Sequence, residues 1–398
     1  MELLVKGARV VDSSQDFEGD VYIRNGKIDE IGKRLSKDCS VIDGKGLTIL
    51  PAFVDLHSHF RDPGQTYKED ILSGSRAAAA GGYTAVNLMA NTDPPCSSME
   101  IVGYVKNKAD EAGLIDVYQS ISITKNMEGN DISHLEKIDK GVKIISDDGK
   151  GVLSIGIMYK AMVKAKDMGI IVMTHEEDES IAKYDARLSE NIMTIRDIVL
   201  SEYTLCPLHI AHVSTKEAMK SIMDAKKRGV PVTCEVTPHH ISLDNSVDYK
   251  VNPPLRDATD VKFLIESIKD GFVDVISTDH APHTMEDKRN GARGISGLET
   301  AFCVCFTKLV HEGNISLSKL SEIMSKNPAR ILKLNKGEIK IGYDGDLVLV
   351  DLNKKIKVDA KNFESKGKNT PFDGMEFYGK VLMTVKGGRV IYDNRQAL

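Results

Sequence analysis

The sequence holds no CxxC pair, no block of like charge and no apolar run long enough to cross a bilayer. Each absence excludes something. The six cysteines, Cys39, Cys96, Cys206, Cys234, Cys303 and Cys305, are scattered along 398 residues, which predicts reduced core residues rather than a disulfide framework. The weakly polar stretch from Ala77 to Ala90 is rich in small residues and broken by glycines. It is too short for a membrane helix, which needs about 20 apolar residues. The opening residues from Met1 to Gly7 contain no apolar signal stretch. A cytoplasmic protein with no membrane partner is the expectation. Basic residues number 53 and acidic residues 58, a formal balance of −5. Phosphate binding wants a basic face, so no nucleic-acid partner is expected, and the balance fits a protein that handles small molecules.

What is present is globular: 41% hydrophobic and 28% charged residues, enough for a large core. The two ends of the chain share one texture. Leu3-Leu4-Val5 precedes Gly7, and Val21-Tyr22-Ile23 precedes Asn25-Gly26, a strong hairpin signal. Near the other end, Asp346 to Val350 and Val381 to Val385 read as strands, with Gly387-Gly388 as a turn. The expectation is one small β-sandwich domain made of residues 1–50 and 340–398. The middle, residues 51–339, differs. Eight apolar runs, Phe53–His57, Thr84–Met89, Asp116–Ile123, Gly141–Ser146, Ile170–Thr174, Leu208–His212, Val230–Val236 and Val273–Thr278, alternate with helix-period segments such as Lys216 to Met223. Buried strands alternating with helices predict an α/β fold with a parallel sheet, and eight of them match a (β/α)8 TIM barrel.

In such a barrel the chemistry sits at the C-terminal strand ends, and here those ends are polar. The first run ends in His57-Ser58-His59, the fourth passes into Asp147-Asp148-Gly149, the fifth ends at His175, the sixth at His212 and the eighth at Asp279-His280. Residues two apart on a strand share a face, so His57 and His59 can grip one ion. Imidazole and carboxylate suit zinc. His57, His59 and Asp279 are candidates for a first ion, His175 and His212 for a second, with Asp148 as the anionic bridge and Asp147 behind it. The alternative for the aspartate pair is plain turn chemistry, since Asp-Asp-Gly also suits a strand exit. Met285 to Gly297 is either a mobile loop near the site or an ordinary solvated one.

The motifs His57-Ser58-His59-Phe60-Arg61-Asp62-Pro63-Gly64, Ala90-Asn91-Thr92, His212-Val213-Ser214-Thr215, Thr237-Pro238-His239-His240, Asn252-Pro253-Pro254-Leu255-Arg256 and Thr278-Asp279-His280-Ala281-Pro282-His283 resemble, in order, those of the dihydroorotase family in the amidohydrolase superfamily. The resemblance implies zinc-dependent, reversible cyclisation of N-carbamoyl-L-aspartate to L-dihydroorotate in pyrimidine synthesis. It implies His57, His59, His175, His212 and Asp279 as ligands of one or two zinc ions, with Asp279 also the catalytic proton carrier. Arg61, Asn91, Asn252 and His283 are implied as substrate contacts, with Gly294 supplying backbone. Asp148 matches the bridging aspartate of type I bacterial members. Lys143 stands where other superfamily members carry a carboxylated lysine, so it is the alternative bridge. Arg293 departs from the apolar residue expected before Gly294, and His239 and His240 are expected to pack rather than bind metal. A homodimer and association with other pyrimidine enzymes are expectations by analogy. The competing readings are a hydantoinase- or allantoinase-like enzyme, against which Arg61 and His283 argue, and a non-catalytic partner subunit.

Overall fold

The computed structural model describes residues 2–395. Five strands open the chain: β1 (Glu2–Val11), β2 (Asp16–Arg24), β3 (Lys27–Gly32), β4 (Ser40–Asp43) and β5 (Thr48–Pro51). The hairpin between β2 and β3 turns on Asn25 and Gly26, both at positive φ, the backbone that a two-residue turn between twisted strands requires. Barrel strands follow as β6 (Phe53–Ser58), β7 (Tyr83–Leu88), β8 (Asp116–Gln119), β9 (Ile144–Ile145), β10 (Ile171–Thr174), β11 (Leu208–Ile210), β12 (Val232–Val236) and β13 (Val275–Ile276). The chain ends with β14 (Leu347–Lys357), β15 (Glu376–Lys386) and β16 (Arg389–Asp393).

The first five and last three strands form one sheet, ordered β16-β15-β14-β5-β1-β2-β3, with β4 on β1. The two ends of the chain meet where β5 pairs with β14. Val5, Val10, Val21, Ile49, Leu347, Leu349 and Val385 enclose a separate small core there.

Each of the eight apolar runs overlaps one barrel strand, with β6 ending one residue beyond its run and β7 starting one residue before its own. All neighbouring barrel pairs are parallel. Single bridges, Ile121 to Ile145 and Ser58 to His280, close the ring between β8 and β9 and between β13 and β6. Asp55 reinforces the second seam. Its buried carboxylate accepts from Thr278 N at 2.9 Å and Thr278 Oγ1 at 2.6 Å, tying β6 to the exit of β13. Outer helices start on side-chain caps; Thr215 accepts from Ala218 N ahead of Lys216–Lys227, whose Ala218, Met219, Ile222 and Ala225 face the sheet. The N-terminal end of the barrel is filled by Val54, Leu56, Ile144, Met173 and Val275 against Ala329 and Leu332, leaving the other end for the site. The cysteines are free, as expected, and all but Cys39 are buried.

One stretch does not stay with the sheet that flanks it. Between β14 and β15, Ser365 and Lys366 donate to Glu69, and Asn369 bonds the chain around His283 and Gly294. The C-terminal segment thereby helps to build the barrel rim.

Candidate active site

The strand exits bring His57, His59, His175, His212, Asp148 and Asp279 together, all buried. Asp148 lies at the centre. Its Oδ1 is 3.2 Å from His57 Nε2 and 3.5 Å from both His175 Nδ1 and His212 Nε2, and its Oδ2 is 3.4 Å from His59 Nε2. Asp279 Oδ1 is 3.2 Å from His59 Nε2 and 3.6 Å from His57 Nε2. Two triads have ligand atoms mutually within 4.8 Å: His57, Asp148 and His212, and His57, His59 and Asp279. Asp279, His212 and Arg61 all have positive φ. For non-glycine residues this costs on the order of 1 kcal/mol each, and here it turns the side chains inward at the point where each strand ends.

These donors fit a cation. His57 Nε2 and Asp148 Oδ1 are buried and close, yet neither has an aligned hydrogen-bond partner. Donors converging on a cation show this arrangement, whereas an ordinary buried pair hydrogen-bonds. Burial pushes the Asp148 carboxyl up, but His57, His175 and His212 hold it well below the usual carboxylate range. Burial is likewise overcome at Asp279 by His57 and His59. His175 is raised to about 9 against burial by Asp148 and Glu177. The centre therefore draws positive charge.

Supporting residues fix the rings. Glu235 on β12 accepts from His57 Nδ1 at 2.7 Å and from His212 N at 3.3 Å, and its other oxygen lies 3.2 Å from His209 Nε2. Metal-binding imidazoles characteristically give their second nitrogen to such a carboxylate. Asn91 Oδ1 is 2.8 Å from His59 Nδ1, so this residue orients a histidine as well as facing the cavity. Neither Glu235 nor Glu177 was expected from the sequence. A lone carboxylate inside the apolar run Val230–Val236 was the available signal for Glu235. Nothing marked Asn369, whose partners lie far away in the chain.

Above the cluster is a cavity of about 380 Å3. Arg61, Asn91, Asn252, His283 and Gly294 all line it, together with Glu177 and Arg293. The Arg61 guanidinium makes no salt bridge among the described residues; its Nε is buried without a partner and its Nη2 lies 3.4 Å from His283 Nε2. Its neighbours are engaged elsewhere, Asp62 with Lys108 and Tyr104 and Glu69 with His280. Asn252 Nδ2 donates to Glu177 Oε2 at 2.8 Å, and its Oδ1 accepts from Arg293. Burial, with Arg61 and Lys68 nearby, lowers His283 to about 3. The neutral ring donates from Nε2 to Arg293 O at 2.9 Å. A Cβ on Gly294 would lie 2.7 Å from Ala281 O, and its φ is +138°, so this close approach requires glycine.

Three candidates lie outside the cluster. Lys143 stands before β9, at the opposite end of the barrel, beside Gly169, Ile170 and Lys333. Asp147 turns away to accept from Thr124 N at 3.1 Å. His239 and His240 are buried, His240 Nε2 bonding Pro253 O at 2.9 Å. The segment 285–297 is anchored: helix Met285–Arg289 starts on a Thr284–Asp287 capping box, and Lys288 Nζ donates to Lys250 O, Ala292 O and Gly294 O.

Residues 48–391 match the amidohydrolase family. Dihydroorotases of Clostridium botulinum and Acetivibrio thermocellus are 54% and 41% identical, over 98% of this chain and 100% and 98% of theirs. The chain belongs to the amidohydrolase family, among its dihydroorotases. Among solved structures, an L-hydantoinase (dihydropyrimidinase) from Arthrobacter aurescens superposes with a TM-score of 0.90 at 26% identity, covering 98% of this chain and 96% of that one. A D-hydantoinase from Thermus superposes with a TM-score of 0.88 at 26% identity, covering 99% and 96%. These likenesses support the barrel with its attached sheet, and no helix among the described residues is long and apolar enough to cross a membrane.

Proposed function

We propose that the chain is a metal-dependent dihydroorotase, interconverting L-dihydroorotate and N-carbamoyl-L-aspartate in pyrimidine synthesis. The observation that carries this reading over a hydantoinase-like one is Arg61, a buried guanidinium with no carboxylate partner among the described residues, set in the cavity wall beside the histidine cluster. A guanidinium stays charged in proteins, and a planar fork binds a carboxylate through two hydrogen bonds. Dihydroorotate carries such a group, and a carboxylate-free ring does not.

His57, His59, His175, His212, Asp148 and Asp279 would hold the metal. Zinc fits the donor set, and the contacts of Asp148 with all four histidines support two ions with this carboxylate between them. Bound zinc supplies a Lewis acid for the ring carbonyl and makes water a nucleophile at neutral pH. Asp279, ionised by its histidine neighbours, takes the proton of the attacking water and returns it to the ring nitrogen as the amide C–N bond breaks. In the synthetic direction the ureido nitrogen loses this proton to Asp279 as it attacks the side-chain carboxyl carbon, and Asp279 returns the proton to the carboxyl oxygen that departs as water when the C–O bond breaks. Arg61 holds the substrate carboxylate, Asn252 and His283 border it, and the backbone at Gly294 flanks the ring. A homodimer and association with other pyrimidine enzymes are part of the proposal by analogy with the family, and cytoplasmic placement rests on the absence of a membrane-length apolar run from the sequence.

The test is turnover of L-dihydroorotate by zinc-supplemented protein, followed as loss of the ring's ultraviolet absorbance. Turnover that a chelator stops and zinc restores is expected. Folded, metal-loaded protein without such turnover would overturn the proposal.

A further inference from the structure

Two guanidiniums line the cavity above the histidine cluster, and the reading above gives a task only to Arg61. Arg293 is the other, at a position where the motifs imply an apolar residue. Its side chain is 60% exposed, so packing does not hold it. It is held from across the cavity mouth: Nη1 donates to Asn252 Oδ1 at 3.3 Å and lies 3.9 Å from Glu177 Oε1.

Charge is spread unevenly round this wall. β10 is the fifth of the eight barrel strands, so its exit faces that of β6, which carries Arg61, across the ring. Glu177 and Glu179 follow β10, and both line the cavity. Glu177 Oε2 is 3.0 Å from His175 Nε2 and accepts from Asn252 Nδ2. Glu179 makes no ion pair among the described residues. Lys183 and Lys250 line an adjoining hollow instead, which leaves Arg293 as the Lys or Arg that faces the cavity on this side.

The two forms of the substrate differ in charge. The ring carries one carboxylate. The open chain carries two, one for Arg61 and one that has to enter the histidine cluster to be attacked. Four protein carboxylates surround that second group and repel it. Asp148 and Asp279 are offset by the metal they would hold; Glu177 and Glu179 are offset by Arg293. We propose that Arg293 is a specificity residue for the open-chain dicarboxylate, its guanidinium favouring the form with two carboxylates over the ring with one. The inference rests on the dihydroorotase reading above.

A kinetic signature follows. The transition state shares the second charge of the open chain. Removing Arg293 raises the bound open chain and the transition state together and leaves the bound ring nearly where it was. In synthesis KM then rises while kcat holds. In hydrolysis KM holds while kcat falls by the same factor, because the reaction's equilibrium ties the two kcat/KM values together.

Steady-state kinetics of the full-length, zinc-loaded chain in both directions test this, with N-carbamoyl-L-aspartate and L-dihydroorotate as substrates. Arg293→Gln should raise KM for the open chain roughly 5- to 10-fold at low ionic strength and lower kcat of hydrolysis to match. Added salt should shrink the effect, since the charge is exposed. Arg293→Lys keeps the charge and should stay within about twofold of wild type. Arg289→Gln removes an exposed cation of the same segment that lies outside the cavity wall and should change neither constant. A role confined to holding Asn252 would raise KM for both substrates whatever the salt. That result would overturn the proposal, as would unchanged kinetics in Arg293→Gln or a lysine variant as impaired as the glutamine one. A wild type that turns over neither compound sinks the dihydroorotase reading and this inference with it, whereas wild-type turnover without the split sinks this inference alone.

Discussion

Lys143 and Asp148 stand at the two ends of one short strand. Along the chain they are near neighbours, Asp148 the favoured anion for a metal bridge and Lys143, after carboxylation, the alternative. The fold separates them. Five residues of extended chain span about 16 Å, and β9 runs along the barrel axis. Lys143 therefore starts at the end closed by Ile331 and Lys333, beside a cavity of about 540 Å3 with no site residue in its wall. Asp148 emerges among four histidines. Position along a strand, more than residue chemistry, decides which group can join a site built from eight strand ends.

The largest expected effect breaks or sharpens that contrast directly. Asp148→Ala should lose bound zinc and lower dihydroorotate turnover on the order of 1,000-fold, whereas Lys143→Ala should keep both, with or without bicarbonate. Metal analysis beside the activity assay reads this, and a Lys143 variant that loses metal would reverse the assignment. Next comes the carboxylate behind the histidines. Glu235→Gln should weaken zinc binding by roughly 10–100-fold, measured by competition with a chelator, because His57 loses its charged partner. Asn369→Ala frees the backbone at His283 and Gly294; it should lower kcat/KM roughly 10-fold while zinc content holds. The smallest effect is titrational. Burial lowers Lys288 to about 8. Between that pH and the ordinary lysine value of about 10.4 the unfolded chain carries a proton that the folded one lacks, so stability rises with pH across this window. Thermal unfolding should show part of that rise vanish in Lys288→Met.

Much of the site was legible because strand ends are short-range features. His57-Ser58-His59 closes an apolar run, and His175, His212 and Asp279 stand in like positions, so strand geometry alone aims them at one rim. Asp147 shows where this logic fails. It adjoins Asp148, yet alternation and the bend at the exit of β9 turn it to Thr124. The interplay of Asn369 with His283 was not legible at all, being a contact between residues 86 apart that no local pattern announces. The loop 285–297 left two readings open, and three carbonyl bonds from Lys288 show that it is tied down. The β-rich ends were readable as strands, but the excursion of Ser365 to Asn369 onto the barrel was hidden inside them.

The central claim is that a guanidinium with no carboxylate partner among the described residues, beside the histidine cluster, selects a carboxylate-bearing ring. The most direct measurement compares turnover of dihydroorotate and dihydrouracil, the same ring without the carboxylate, in wild type and in Arg61→Met. Loss of two charge-assisted hydrogen bonds should lower kcat/KM for dihydroorotate roughly 100-fold and leave dihydrouracil nearly unchanged. If both substrates fall alike, or neither falls, Arg61 does not read the carboxylate and the account of specificity is wrong.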